Sequence, residues 1–333
     1  MGLPTKSQVI EDIASTTTQH ILPTLIDNVF KANPLFVRMA TRENLLLDGG
    51  LDVRQPIIYG KMPRGFYKGL KNFDTSRRKT KTSMIFDWKQ AYVNITVDGL
   101  SMLQNGGGDA VIDLVESEMT TAEMSLRDAL GFAIYRDGAT AFSDPDDSTV
   151  LWEAGEGFTG IEVAIEDGTN FNAYGGVTRD TSPEGTAVKG QYDGTGGATS
   201  LDLLQTDFGL CVIEPERPDL IVTTQTVWNK IWARLQPQQR FPQGAGFDDL
   251  ANVGFQVLNF NGAAVVVDSH CQSGRAYMLN TKFIKLIIHQ DRNFEPTNWK
   301  YPTNQDSMIQ QILFAGELVC QSPRLNCQIR NLT

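Results

Sequence analysis

GGGDAVIDLVESEMTTAEMSLRDALGFAIYRDG, residues 106–138, is the stretch on which the fold turns. Gly106, Gly107 and Gly108 end the preceding segment, and Asp109 stands where it can cap a first turn and favour its positive dipole end. Val111, Val115, Met119, Ala122, Leu126, Ala129, Leu130 and Ala133 then recur at three- and four-residue steps. Arg136 suits a last turn and Gly138 a stop. The spacing predicts a helix over residues 109–136, roughly 40 Å long at 1.5 Å per residue. That is long for a compact domain.

On the N-terminal side, Leu51-Asp52-Val53-Arg54 and Tyr92-Val93-Asn94-Ile95-Thr96-Val97 alternate apolar and polar, as half-buried strands do. Between them, residues 59–81 are rich in Gly, Pro, Lys and Arg, so the two strands are expected to pair as a hairpin extending from the body. Ten basic residues, Arg54, Lys61, Arg64, Lys68, Lys71, Arg77, Arg78, Lys79, Lys81 and Lys89, face two acids, Asp74 and Asp87. The chain carries a net −10, so the remainder carries −10 − 8 = −18. Residues 137–178 hold nine acids and no Lys or Arg. Separated charge of this kind makes a chain complementary to copies of itself.

Further upstream, Leu25, Ile26, Val29 and Phe30 have helical spacing, and Asn33-Pro34 reads as a stop. Leu35, Phe36 and Met39 follow. Residues 1–46 have no room for a core of their own and are expected as an arm lying on a neighbouring subunit through Leu25, Ile26, Phe30, Leu35 and Phe36. Downstream, the chain is Gly- and acid-rich to about residue 198, with short apolar runs such as 161–165. Helices are expected over 200–212 and 226–235, and strands over 218–223, 256–260, 263–267, 277–279, 284–289 and 307–320. Asn261-Gly262 is a strong two-residue hairpin signal. The pattern is mixed α+β, without a fixed-period repeat.

Composition sets the class. Hydrophobic residues make up 41% and charged residues 20% of 333, the balance of a soluble globular protein. Net acidity argues against a chain that chiefly wraps nucleic acid. Cys211, Cys271, Cys320 and Cys327 form no Cys-x-x-Cys pair and read as reduced, buried thiols. No signal peptide and no apolar run of membrane length is present, so a cytoplasm-like setting and no membrane partner are expected.

Catalytic and cofactor motifs fail on inspection. Asp109-Ala110 stands where a phosphate loop needs Lys-Ser/Thr. The acidic turn Asp144-Pro145-Asp146-Asp147-Ser148 lacks the Gly and the Glu of a calcium loop. His20, His270 and His289 are scattered, with no nucleophile elbow and no metal-binding His pair. No catalytic residue, metal or cofactor is assigned. In the basic hairpin only Phe66, Tyr67 and Phe73 interleave the charges, so protein contact is favoured over base stacking.

With these parts in order, the sequence resembles the major capsid proteins of tailed bacteriophages, with the Hong Kong 97-type fold. Ala32-Asn33-Pro34-Leu35-Phe36 is similar to the family's arm segment. The run 160–165 followed by Tyr174-Gly175-Gly176-Val177-Thr178-Arg179 resembles a recurrent Gly-Gly-Ile-x-Arg stretch. Pro218-Asp219-Leu220-Ile221-Val222-Thr223, Phe260-Asn261-Gly262 and Tyr277-Met278-Leu279-Asn280-Thr281 are matches of the same kind. Thr181-Ser182-Pro183-Glu184-Gly185 departs from the family by replacing aromatic residues.

The resemblance implies an N-terminal arm (1–46), an extended loop (47–98), a peripheral domain with a spine helix (99–141), a mainly axial domain (142–290) and a return to the peripheral domain (291–333). It implies self-assembly as hexamers and pentamers into an icosahedral shell around double-stranded DNA bound without sequence specificity. A portal protein and a separate scaffolding protein are expected partners, because no long helical segment precedes the arm. The expected location is the virion, after assembly in the host cytoplasm. Within the same fold an encapsulin-like compartment is the alternative, and from another class an α+β enzyme.

Overall fold

The computed structural model describes residues 33–42, 44–104, 114–213, 215–235 and 258–333. Of the expected helix over 109–136, the described part is Leu114–Tyr135, and the Gly106–Asp109 start lies outside the described residues. Its 22 residues span about 33 Å. Ala122, Leu126, Leu130 and Ala133 are buried at helical spacing and pack toward the strand Lys89–Asp98, whose Ile95 and Val97 are buried. Each Leu, Ile or Val side chain among these contributes about 1.5–3 kcal/mol when removed from water. Gly138, at φ +63°, ends the helix where an added Cβ would stand 2.1 Å from the Phe158 carbonyl.

The strand Lys89–Asp98 is not the return strand of the basic hairpin. Val53–Ile58 pairs antiparallel with Lys81–Phe86 instead. Residues 89–98 pair antiparallel with 307–316, more than two hundred residues downstream. Alternation marks a half-buried strand but does not name its partner. The long strand Ser307–Cys320 also pairs with Ile284–His289, which carries the parallel strand Asn44–Leu47 on its other side, and with Glu295–Pro296.

A second, six-stranded sheet follows the order 258–260, 263–267, 220–223, 276–279, 327–329, 191–193. Its alternation divides two cores. Leu220, Val222, Ala264, Val266, Tyr277 and Leu279 face the core shared with the long helix and the first sheet. Ile221, Ala263, Val265, Ala276, Met278, Cys327 and Ile329 face a smaller core beneath the helices Leu201–Cys211 and Gln225–Leu235. Sheet membership cuts across the expected boundary at residue 290. Ile284–His289 belongs to the first sheet and Cys327–Ile329 to the second, because antiparallel pairing, not chain order, sets the neighbours.

Asn33-Pro34, expected to stop a helix that lies outside the described residues, starts the helix Pro34–Arg42. Asn33 Oδ1 accepts the backbone N–H of Phe36 at 3.1 Å and Pro34 takes the first position of Pro34–Arg42. Leu35 and Phe36 correct the arm reading: they are 0% and 5% exposed in this subunit's own main core, because their helix packs on the long helix and on Ile284–His289. Arg38 ties the same helix to the second sheet by an ion pair of 2.6 Å with Asp219. Leu25, Ile26 and Phe30 lie outside the described residues.

His270 bolts the long helix to the second sheet. Its Nδ1 lies 2.9 Å from Asp268 Oδ1 and its Nε2 2.8 Å from Asp128 Oδ1, while the Tyr135 hydroxyl donates to Asp268 Oδ2 at 2.7 Å. Only an imidazolium can donate from both nitrogens. Burial opposes that charge, yet the hydrogen bonds to Asp128 and Asp268 carry the pKa up to about 9 from 6.5. The stabilisation is complete below pH about 6.5 and is lost as pH rises through about 9, on the order of 3 kcal/mol. Glu317, pushed up to about 8 from 4.5 by burial, has the same sign of dependence and a window between those values. Urea unfolding at pH 6.5 and 9.5 should show a falling midpoint, with a visibly smaller fall in His270→Gln. Equal falls in the two proteins would refute the imidazolium bolt.

Candidate assembly interface

The basic hairpin begins as a ladder of six pairs, from Val53↔Phe86 to Ile58↔Lys81. Val53, Met84 and Phe86 are buried and fix which face turns inward. The root is braced on several sides. Trp88 Nε1 donates to the Gly50 carbonyl at 2.9 Å, and Gln321 Nε2 donates to Gln55 Oε1 at 2.8 Å. Ile85 N donates to the Gly175 carbonyl at 2.9 Å. Gly175, at φ +56°, sits so close that an added Cβ would be 2.5 Å from Met84 Cβ. The Gly-Gly stretch noticed in the sequence is therefore the turn of a small hairpin docked against the loop's root.

Arg179 anchors that turn. Buried at 5% exposure, it donates to the carbonyls of Val163, Ala164, Phe171 and Val188 at 2.7–3.2 Å. Tyr174 packs on Phe86 with ring centroids 5.1 Å apart and accepts the Cys320 N–H at 2.8 Å. Glu184, part of the segment that departs from the family pattern, meets the loop a little higher. It pairs with Lys79 at 3.2 Å and accepts a hydrogen bond from Tyr59, which pushes the Tyr59 hydroxyl up to about 12. The hydrogen bond from Tyr59 and then that from Lys79 lower the Glu184 carboxyl.

Beyond this brace the loop stands alone. Residues 64–79 are all exposed. Among the described residues, the hydrogen bonds and ion pairs of side chains 61–78 stay within the loop. The basic set divides accordingly. Arg54 pairs with Asp52, Arg78 with Asp74 and Lys79 with Glu184, and Lys71 Nζ donates to the Phe66 carbonyl. Lys61, Arg64, Lys68, Arg77 and Lys81 make no ion pair among the described residues. Charge is not the tip's only character. Phe66 and Leu70 are fully exposed, and Met62, Tyr67 and Phe73 each more than 60% exposed. Such a display of large apolar side chains inside a cationic collar is the signature of a surface made to be covered. Sequence reasoning counted the charges and passed over Met62 and Leu70, which alternation could not flag in a segment without strand pairing.

Among the described residues no group of three or more His, Cys, Asp or Glu is placed to hold a metal ion, and no helix is long and apolar enough to cross a membrane. Cys211, Cys271, Cys320 and Cys327 are free and buried.

Neither family models nor curated protein sequences match the chain. Solved structures do. The capsid asymmetric unit of cyanophage A-1(L) superposes with a TM-score of 0.68 at 14% identity, over 96% of this chain and 98% of that one. This chain has a phage capsid fold. The capsid of a native GTA particle gives 0.66 at 8% identity over 98% and 99%. The holo-SrpI encapsulin of Synechococcus elongatus gives 0.59 at 6% identity over 100% and 96%. The mixed α+β, Hong Kong 97-type architecture expected from the sequence is thus shown, with capsid-fold neighbours matched nearly end to end.

The docked Gly-Gly turn offers a direct test within this fold. Gly175→Val combines a positive φ with a clash against Met84 and should cost about 3 kcal/mol. Gly176→Ala, where a Cβ meets nothing within 4 Å, should cost only about 1 kcal/mol. Urea midpoints of the two variants would reveal equal losses if the close approach to the loop root were unimportant.

Proposed function

We propose that this chain is the major capsid subunit of a tailed phage, associating as hexamers and pentamers into a closed icosahedral shell that encloses double-stranded DNA. The observation that carries this reading is the combination of a capsid fold over nearly the whole chain with a braced loop whose tip, among the described residues, makes no side-chain bond to its own body. A shell lattice needs two different, complementary patches that close by rotation. A tip that is apolar at its centre and basic around it supplies one of them. Covering it would help each subunit exceed the roughly 1,600 Å² of a standard interface, which offsets the cost of ordering the loop.

The role is structural, with no chemical step assigned to any residue. The acidic chain suits a wall that encloses DNA without sequence-specific contact. A portal and a separate scaffolding protein are the expected assembly partners, in the host cytoplasm before the virion is complete. The match to an encapsulin at a TM-score of 0.59 favours one second reading, a compartment that encloses protein cargo.

Negative-stain electron microscopy of the protein, expressed alone and with its candidate scaffold, should show closed shells or polyheads. Nuclease-resistant DNA in shells from producing cells supports the phage reading, and protein cargo without DNA the compartment. Small monodisperse particles under both conditions would overturn both. Because Arg78 and Lys79 already have partners, Lys61→Glu/Arg64→Glu/Lys68→Glu/Arg77→Glu is a sharper variant than reversal of Arg77, Arg78 and Lys79. It should leave a folded subunit that forms no shells.

A further inference from the structure

The four cysteines divide between the two cores. Cys271 and Cys320 belong to the main core, Cys211 and Cys327 to the smaller one beneath the helices. The first two have other company. Cys271 Sγ lies 3.7 Å from the Gln272 carbonyl and 3.9 Å from that of Arg275, and Cys320 Sγ accepts from Asn326 Nδ2 at 3.5 Å. Cys211 and Cys327 have each other. Cys211 ends the helix Leu201–Cys211, Cys327 opens the strand Cys327–Ile329, and the helix packs on the strand with the two thiols hydrogen-bonded. Both are buried, at 0% and 1% exposure.

A carboxyl stands beside them. Asp207 lies one helical turn before Cys211, on the same buried face, at 6% exposure. Among the described residues no group donates to its Oδ2. A buried acceptor left unpaired is costly and calls for a reason. Burial, then the charge of Asp193 on the strand Gln191–Asp193, pushes this carboxyl up to about 6 from 3.8. The hydrogen bond with Cys211 and then burial push the Cys327 thiol up, and the charges of Asp207 and Asp193 add to both.

We propose that Cys211 and Cys327 are a redox pair that closes to an intrachain disulfide, with Asp207 as the group that takes up the thiol proton. The oxidant is a small organic disulfide. One thiol gives its proton to the Asp207 carboxylate while its sulfur attacks a sulfur of the oxidant, and a first small thiolate leaves. The second cysteine attacks the mixed disulfide, the Sγ–Sγ bond forms, and a second small thiolate leaves. The two cysteines lose two electrons and two protons, and the oxidant becomes two thiols. Closure ties the helix Leu201–Cys211 to the strand Cys327–Ile329 and restrains the unfolded chain over a long loop. The pair is open in reducing surroundings and closed in oxidising ones. It works within one chain, so it stands whether or not the chain builds shells.

The full chain, purified reduced and then incubated with oxidised glutathione, tests the assignment without any substitution. Thiols counted after denaturation should fall from four to two. Mass spectrometry of an unreduced digest should find the Cys211 and Cys327 peptides joined, and the melting midpoint should rise by roughly 5 °C until dithiothreitol is added. Four remaining thiols, a bridge through Cys271 or Cys320, or an unchanged midpoint would overturn the redox pair. The rate of closure tests Asp207 separately. It should climb with pH and level off above about 6, where the carboxyl has lost its proton. In Asp207→Asn, closure at pH 7 should be at least about tenfold slower and should keep climbing about tenfold per pH unit with the thiolate fraction. A wild-type rate that does not level off near 6 removes Asp207 from the step, even where the variant fails to fold.

Discussion

Ten consecutive residue pairs join the strand 89–98 to residues 307–316, and the rest of the subunit hangs on that ladder. It brings the first third of the chain to its last tenth. The long helix lies across one side of it, and the helix Pro34–Arg42 reaches the same core from the strand next to it. Only Asp87 and Trp88 separate the ladder from the return strand of the basic loop. The direction in which the loop leaves the body is therefore set by a buried sheet rather than by a flexible linker. Trp88, bonded to Gly50, closes the corner.

Much of this was legible in the sequence because it obeys short-range rules. The three-and-four spacing from Met119 to Ala133 marked the long helix, and Asn261-Gly262 marked a hairpin whose strands pair Phe260 with Ala263. What failed were choices between partners. Tyr92–Val97 alternates equally well whether it meets residue 54 or residue 309, and only the completed core decides. Asn33-Pro34 serves equally as an end and as a beginning; the Phe36 N–H marks the beginning, and the end lies outside the described residues. At the candidate interface, the cationic side chains were visible as letters. Arg179 and Glu184 were not, because their partners are backbone carbonyls and a tyrosine far along the chain.

Polar groups inside the subunit have a different task from those outside it. His270 between Asp128 and Asp268, and Glu162 between Arg275 at 2.7 Å and Arg330 at 3.1 Å, each link elements that no ladder connects. Buried ion pairs add little net stability but penalise any packing in which one partner is missing. They select one arrangement of helix and sheets. Exposed pairs within the chain, such as Lys79 with Glu184, add a brace at the surface and leave most of the loop's basic side chains without an ion pair among the described residues.

The bracing of the loop at its root, with no side-chain bond from its tip to the body among the described residues, has a kinetic meaning. The bonds named above that fix the body lie within one chain, and bonds of that kind form in a first-order process independent of concentration. Under the proposed function, association through the tip is of higher order and waits until enough finished subunits have accumulated. Folding and construction thus become successive stages, and an error in the second can be undone by dissociation without unfolding a single chain.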